Sequence, residues 1–131
     1  MQPWLVADAH VDVLMKLLDT KIRFTEDGPS LDASLPSLAL GHVATQVFAL
    51  YVSPNADAGS QLHDVLREID AFYGQVATVP TVRHVKSRAD LRAARAQGQL
   101  AGILSLEGAV AFVGVSKFFE CSTSWAYAVW V

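Results

Sequence analysis

Three side chains in this sequence have the types and positions needed to hold a cation: His10, Asp12 and Glu107. His10 and Asp12 stand two apart in Asp8-Ala-His-Val-Asp12, and in an extended strand this spacing sends both side chains to one side. An imidazole nitrogen beside a carboxylate oxygen suits zinc or a similar divalent ion. Glu107 ends the apolar run Leu100-Ala-Gly-Ile-Leu-Ser-Leu106 and precedes Gly108, where a parallel β/α strand delivers functional groups at its C-terminal end. Its two oxygens could bridge two cations about 3.5 to 4 Å apart, the separation used by two-metal hydrolases. Plainer roles stay open for both elements of the pattern. His10 also fits a hydrogen-bonded histidine near a strand end, and Glu107 fits an acid at a helix N-terminus. Asp8 has the parity of His10 and Asp12 but is not counted as a ligand, because strand geometry drifts at its C-terminal end.

The elements that must position these groups follow from hydrophobic period. Leu5-Val-Ala7 reads as the start of a buried first strand, and Val11, Leu14, Met15, Leu17 and Leu18 suit a helical turn or two. Residues 19–40 are rich in Asp, Thr, Ser, Pro and Gly and predict a long loop with a short helix at most. His42 to Val52 is β-branched and aromatic and predicts a strand buried on both faces, stopped by Ser53-Pro-Asn55. Leu62, Val65, Leu66, Ile69, Phe72, Tyr73 and Val76 recur at helical spacing, with His63, Asp64, Arg67, Glu68 and Asp70 assigned to the opposite, polar face. A second helix begins at Ser87, where Ser-Arg-Ala-Asp90 resembles a capping box, and ends before Gly98. Leu100 to Leu106 is a further strand, and Trp125 to Val131 a last candidate strand. Apolar strands separated by long helical stretches predict β/α units around a parallel sheet.

Composition narrows the function classes. With 131 residues the chain holds at most one domain or part of a larger one. Its 52% hydrophobic and 18% charged residues exclude a disordered polymer. A net charge of -3 with no basic block argues against nucleic acid as a partner. The single cysteine, Cys121, excludes an internal disulfide and a multi-cysteine metal site, and reads as a packing residue. His42, His63 and His84 receive no role. The N-terminal residues show no signal-peptide pattern and no apolar run reaches bilayer length, so a soluble, cytoplasmic protein without a membrane anchor is expected.

Taken together, four ordered stretches resemble the membrane dipeptidase family, the renal dipeptidase type of zinc metallopeptidases. Asp8-Ala-His-Val-Asp12 is similar to that family's Asp-Gly-His-X-Asp start, with Ala9 where glycine is usual. Leu31 to Val52 is similar to a Leu-Pro-X-Leu stretch leading into a Gln-Phe-Trp strand, Ser87 to Gly98 to the helix before the next strand, and Leu106-Glu-Gly108 to the strand end bearing a bridging glutamate. The resemblance covers residues 5–112. It implies a TIM-type (β/α)8 barrel, two Zn2+ ions at the C-terminal rim, dipeptide hydrolysis by a metal-activated water, and roles for His10 and Asp12 on one zinc and Glu107 between two.

The departures set a second expectation. A (β/α)8 barrel takes about 250 residues, so 131 residues supply about half of one. The family's later ligands are histidines, and this sequence has none after His84. From residue 113 to residue 131 the register with the family is lost. The chain is therefore expected to be a single partial domain, the N-terminal half of a barrel with a divergent tail and an incomplete zinc site. It would have little activity alone, and its exposed strand edges would suit a homo-oligomer or a second half-barrel.

Overall fold

In the computed structural model, residues 5–19, 21–53 and 55–107 are described. The expected tail at 113–131, Cys121 and the candidate strand at 125–131 lie outside them. Four strands form one all-parallel sheet: β1 (Val6–Val11), β2 (Val43–Leu50), β3 (Val82–His84) and β4 (Leu100–Leu106), in the order β1-β2-β4-β3. The fold is α/β, and its parallel strands and helical connections make up about half of a TIM-type barrel. Among the described residues, no helix is long and apolar enough to cross a membrane.

The helices begin where side chains can satisfy free backbone donors. α1 (Leu35–Leu40) is capped by Ser34, whose hydroxyl accepts from Ser37 N–H while Ser37 Oγ accepts from Ser34 N–H. Asp57 accepts from Gly59 and Ser60 N–H at the start of α2 (Ala58–Ala71). Ser87 caps α3 (Arg88–Gln97) as expected, with Asp90 turning back to accept from Lys86 N–H. Gly98 closes α3 with φ 64°, which lets Gln99 N–H reach the Ala94 carbonyl at 2.9 Å. Because a Cβ is disfavoured in that left-handed conformation, Gly98→Ala should cost about 1 kcal/mol in urea unfolding. An unchanged midpoint would show that the helix end tolerates another conformation.

The main core lies between the sheet and α2. α2 widens at its end into a π turn, Phe72–Val76, closed by Ala77 N–H on the Phe72 carbonyl at 2.8 Å. Phe72 there meets Phe48 of β2 edge-on at 5.5 Å, and Phe48 meets Phe24 at 5.7 Å, with all three rings buried. A Cβ on Gly102 would lie 3.3 Å from the Phe48 ring, so glycine lets β4 come close to this aromatic stack. Ala101 packs instead with Ala94 of α3 and with Val85, placing α3 on the other face of the sheet.

Three elements differ from the sequence expectations. β1 runs on to Val11, so only Lys16–Leu18 forms a helical turn. β3 was not anticipated: it is three residues long, and Arg83 and His84 hide its strand character. On α2 the buried line is Gln61, Val65, Glu68 and Phe72, while Leu62 and Leu66 are exposed. Glu68 therefore does not belong to the polar face. The wide apolar stripe of α2 exceeds what the sheet covers, and the sheet side accommodates two polar residues that find backbone partners.

Candidate metal centre

β1 and β2 are not in simple register, and that irregularity builds the site. Asp8 pairs with Gln46 and Val11 with Phe48, so three steps along β1 oppose two along β2, a β-bulge. The extra residue reverses the alternation between Asp8 and Val11. Val11 joins Phe48 on the core side, leaving His10 and Asp12 on the side of Val47 and Ala49. Asp8 stays on the Gln46 side and accepts from the His10 N–H at 3.1 Å, fixing the bulged backbone. The parity that grouped Asp8 with the other two is thus broken by one inserted residue.

β4 brings the third group to the same rim. Ala49 pairs with Ser105 and Leu50 with Leu106, so Glu107 continues on the Ala49 side, one step past the strand. Its backbone N–H donates to the Leu50 carbonyl at 3.1 Å. The sheet order is essential here, since β4 lies directly against β2 and only one strand separates Glu107 from β1.

His10 Nε2 lies 3.2 Å from Asp12 Oδ1 and 3.4 Å from Glu107 Oε2, and one ligand atom from each residue falls within 4.8 Å of the others. Ligands about 2.0 to 2.2 Å from a tetrahedral zinc are about 3.3 to 3.6 Å apart, so an ion fits among these atoms with small adjustments. Each of the three side chains is about half exposed, at 50%, 45% and 49%, so solvent or substrate could complete the coordination. The donor set is mixed imidazole and carboxylate, which suits zinc and similar divalent ions.

The other candidates are placed elsewhere. His63 is exposed beside Asp64. His84 packs edge-on against the rings of Phe72 and Tyr73 at 5.0 and 5.3 Å, and burial holds its pKa below the usual histidine value, with Lys86 adding to the effect and Asp90 opposing it. His42 carries a left-handed φ of 55° before β2. It lines a hollow of ≈ 800 Å³ at the N-terminal end of the strands, with Val6, Val43 and Leu100. None of the three rim groups lines that hollow, so the candidate ligands and the hollow are at opposite ends of the sheet.

Sequence reading missed Glu68. It is 2% exposed, and its Oε2 accepts from the Tyr51 N–H at 2.9 Å, just beyond β2. Burial pushes its carboxyl up to about 7, Asp64 and Asp12 add repulsion, and the Tyr51 N–H partly offsets them. The available signal was its spacing from Gln61, Val65 and Phe72, the residues of the buried line.

A parallel β/α sheet with an imidazole and two carboxylates gathered on its C-terminal rim defines an α/β protein with a candidate metal centre. The family model for membrane dipeptidase, peptidase family M19, matches residues 1–118, and the chain belongs to that family. No curated protein matches it. Among solved structures it is similar to the dipeptidase AC, a metallopeptidase of family M19, at 23% identity and TM-score 0.73, covering 98% of this chain and 41% of that one. It is also similar to a metallopeptidase from Rhodobacter sphaeroides liganded with a phosphinate mimic of the dipeptide L-Ala-D-Ala. That match has 21% identity and TM-score 0.72, and covers 92% of this chain and 43% of the other. The chain thus spans about two fifths of the length of these structures.

Proposed function

We propose that the chain carries the N-terminal part of a zinc-dependent dipeptidase site, with His10 and Asp12 on one ion and Glu107 able to bridge to a second. The observation that carries this reading is the convergence of one imidazole nitrogen and two carboxylate oxygens within 4.8 Å on the strand rim. A bound divalent ion supplies Lewis acidity and brings the pKa of water toward neutrality. His10 near the end of β1 and Asp12 just past it supply the first two donor atoms, Asp8 fixes the His10 backbone, and the half-exposed Glu107 carboxylate has a second oxygen besides the one near His10. Family membership and the dipeptide-mimic ligand of the Rhodobacter sphaeroides neighbour support a dipeptide as the substrate class.

Three donors among the described residues do not make a closed two-ion site. We therefore propose that the 131-residue chain alone hydrolyses dipeptides weakly or not at all. Calorimetric titration of the purified chain with Zn2+ or Co2+, followed by a dipeptide cleavage assay, tests both parts. Weak binding of one ion with little cleavage is expected. Absence of binding contradicts the ligand assignment, and rapid metal-dependent cleavage contradicts the proposed incompleteness. A second reading, association through the sheet edges, is favoured by β1 and β3, the edge strands among the described residues, and by exposed Leu62 and Leu66. Light scattering should then show dimers or larger species, whereas a monomer opposes it.

A further inference from the structure

We infer that Glu68 is a positioning residue for the candidate metal centre, clamping the Tyr51 peptide so that the adjoining Leu50 carbonyl holds Glu107 at the rim. The inference rests on the reading of His10, Asp12 and Glu107 as ligands. Its geometric basis is a short relay through backbone. Glu68 Oε2 takes the Tyr51 N–H at 2.9 Å, and the preceding residue, Leu50, offers its carbonyl to Glu107 N–H at 3.1 Å. Tyr51 lies past the last paired residue of β2, so the sheet ladder does not fix its N–H.

α2 makes a second contact of the same kind. Gln61, also buried, donates through Nε2 to the Ser53 carbonyl at 3.2 Å. Two buried polar side chains, seven positions apart on one line of α2, thus grip the segment that leaves β2 beside the candidate ligands. A carboxylate buried on a helix face is costly unless it is bonded, and an apolar residue would pack there without that cost. Retaining it is accounted for by the backbone it holds. Residues that orient metal ligands typically change affinity about 10- to 100-fold when removed.

The test compares the full chain with Glu68→Gln, which keeps an acceptor oxygen for Tyr51, and Glu68→Ala, which does not. Co2+ titration at pH 7.5 should give Glu68→Gln an affinity close to the parent, and Glu68→Ala one about 10-fold lower or less. Circular dichroism should be the same for all three. Amide hydrogen exchange without metal should be faster at Tyr51 and Glu107 in Glu68→Ala only. Equal Co2+ affinity in Glu68→Ala and parent overturns the inference. If the parent binds no Co2+, the ligand reading fails by itself, and exchange decides the role of Glu68: faster exchange at Glu107 confined to Glu68→Ala upholds the clamp, and unchanged exchange overturns it. Should Glu68→Ala lose its circular dichroism signal, Glu68→Gln decides, a 10-fold loss there overturning the clamp and a parent-like affinity upholding it.

Discussion

Replacing His10 or Glu107 with alanine is expected to lower the affinity of the chain for Zn2+ or Co2+ about 100-fold while leaving its folding stability nearly unchanged. The magnitude follows from structural zinc sites, in which four ligands together contribute about 10 to 16 kcal/mol, so that one direct ligand is worth about 3 kcal/mol. The neutral effect on folding follows from exposure. Both side chains are about half in solvent, and the backbone bond from Glu107 to Leu50 survives the substitution. Exposed substitutions away from packed or bonded features usually shift stability by less than about 0.5 kcal/mol. Calorimetry for the metal and urea unfolding for the fold separate the two quantities. A variant that binds metal like the parent would remove that residue from the ligand set.

The second large effect concerns Glu68 and has a definite pH window. Burial raises its folded-state pKa to about 7 from an ordinary value of 4.5. The folded chain therefore holds this proton more tightly than the unfolded chain does. The resulting stability is fully present below about pH 4.5 and is lost as pH rises through about 7, where the ionised group stays buried. Its full size is about 3 kcal/mol, an order-of-magnitude figure. Glu68→Gln keeps the hydrogen-bond acceptor and does not ionise. Metal-free Glu68→Gln should thus unfold like the parent near pH 4.5 and be more stable by about 2 to 3 kcal/mol at pH 8. Parallel stability curves across this range would mean that Glu68 is not buried as a carboxyl.

Much of the candidate site is legible in the sequence because its determinants are local. His10 and Asp12 are two apart, Glu107 ends an apolar strand, and both strands announce themselves by composition. Caps and stops of α3 were equally plain, since Ser87 and Gly98 act on their immediate neighbours. What stayed hidden depends on pairing. The bulge that turns Asp8 away exists only in the register of β1 against β2. The insertion of β4 between β2 and β3 brings Glu107 near β1, and three residues such as Val82-Arg-His84 carry too little pattern to reveal the strand displaced to the edge. Glu68 was assigned to the polar face because a glutamate among Asp64, Arg67 and Asp70 looks solvated until a partner such as the Tyr51 N–H is known.

Direct location of the ion tests the central claim most sharply. Crystals of the chain grown with Zn2+, measured at the zinc absorption edge, should show an anomalous peak about 2.0 to 2.2 Å from His10 Nε2 and from one carboxylate oxygen each of Asp12 and Glu107. A peak bound by other residues, or no peak on this rim at saturating Zn2+, would contradict the account.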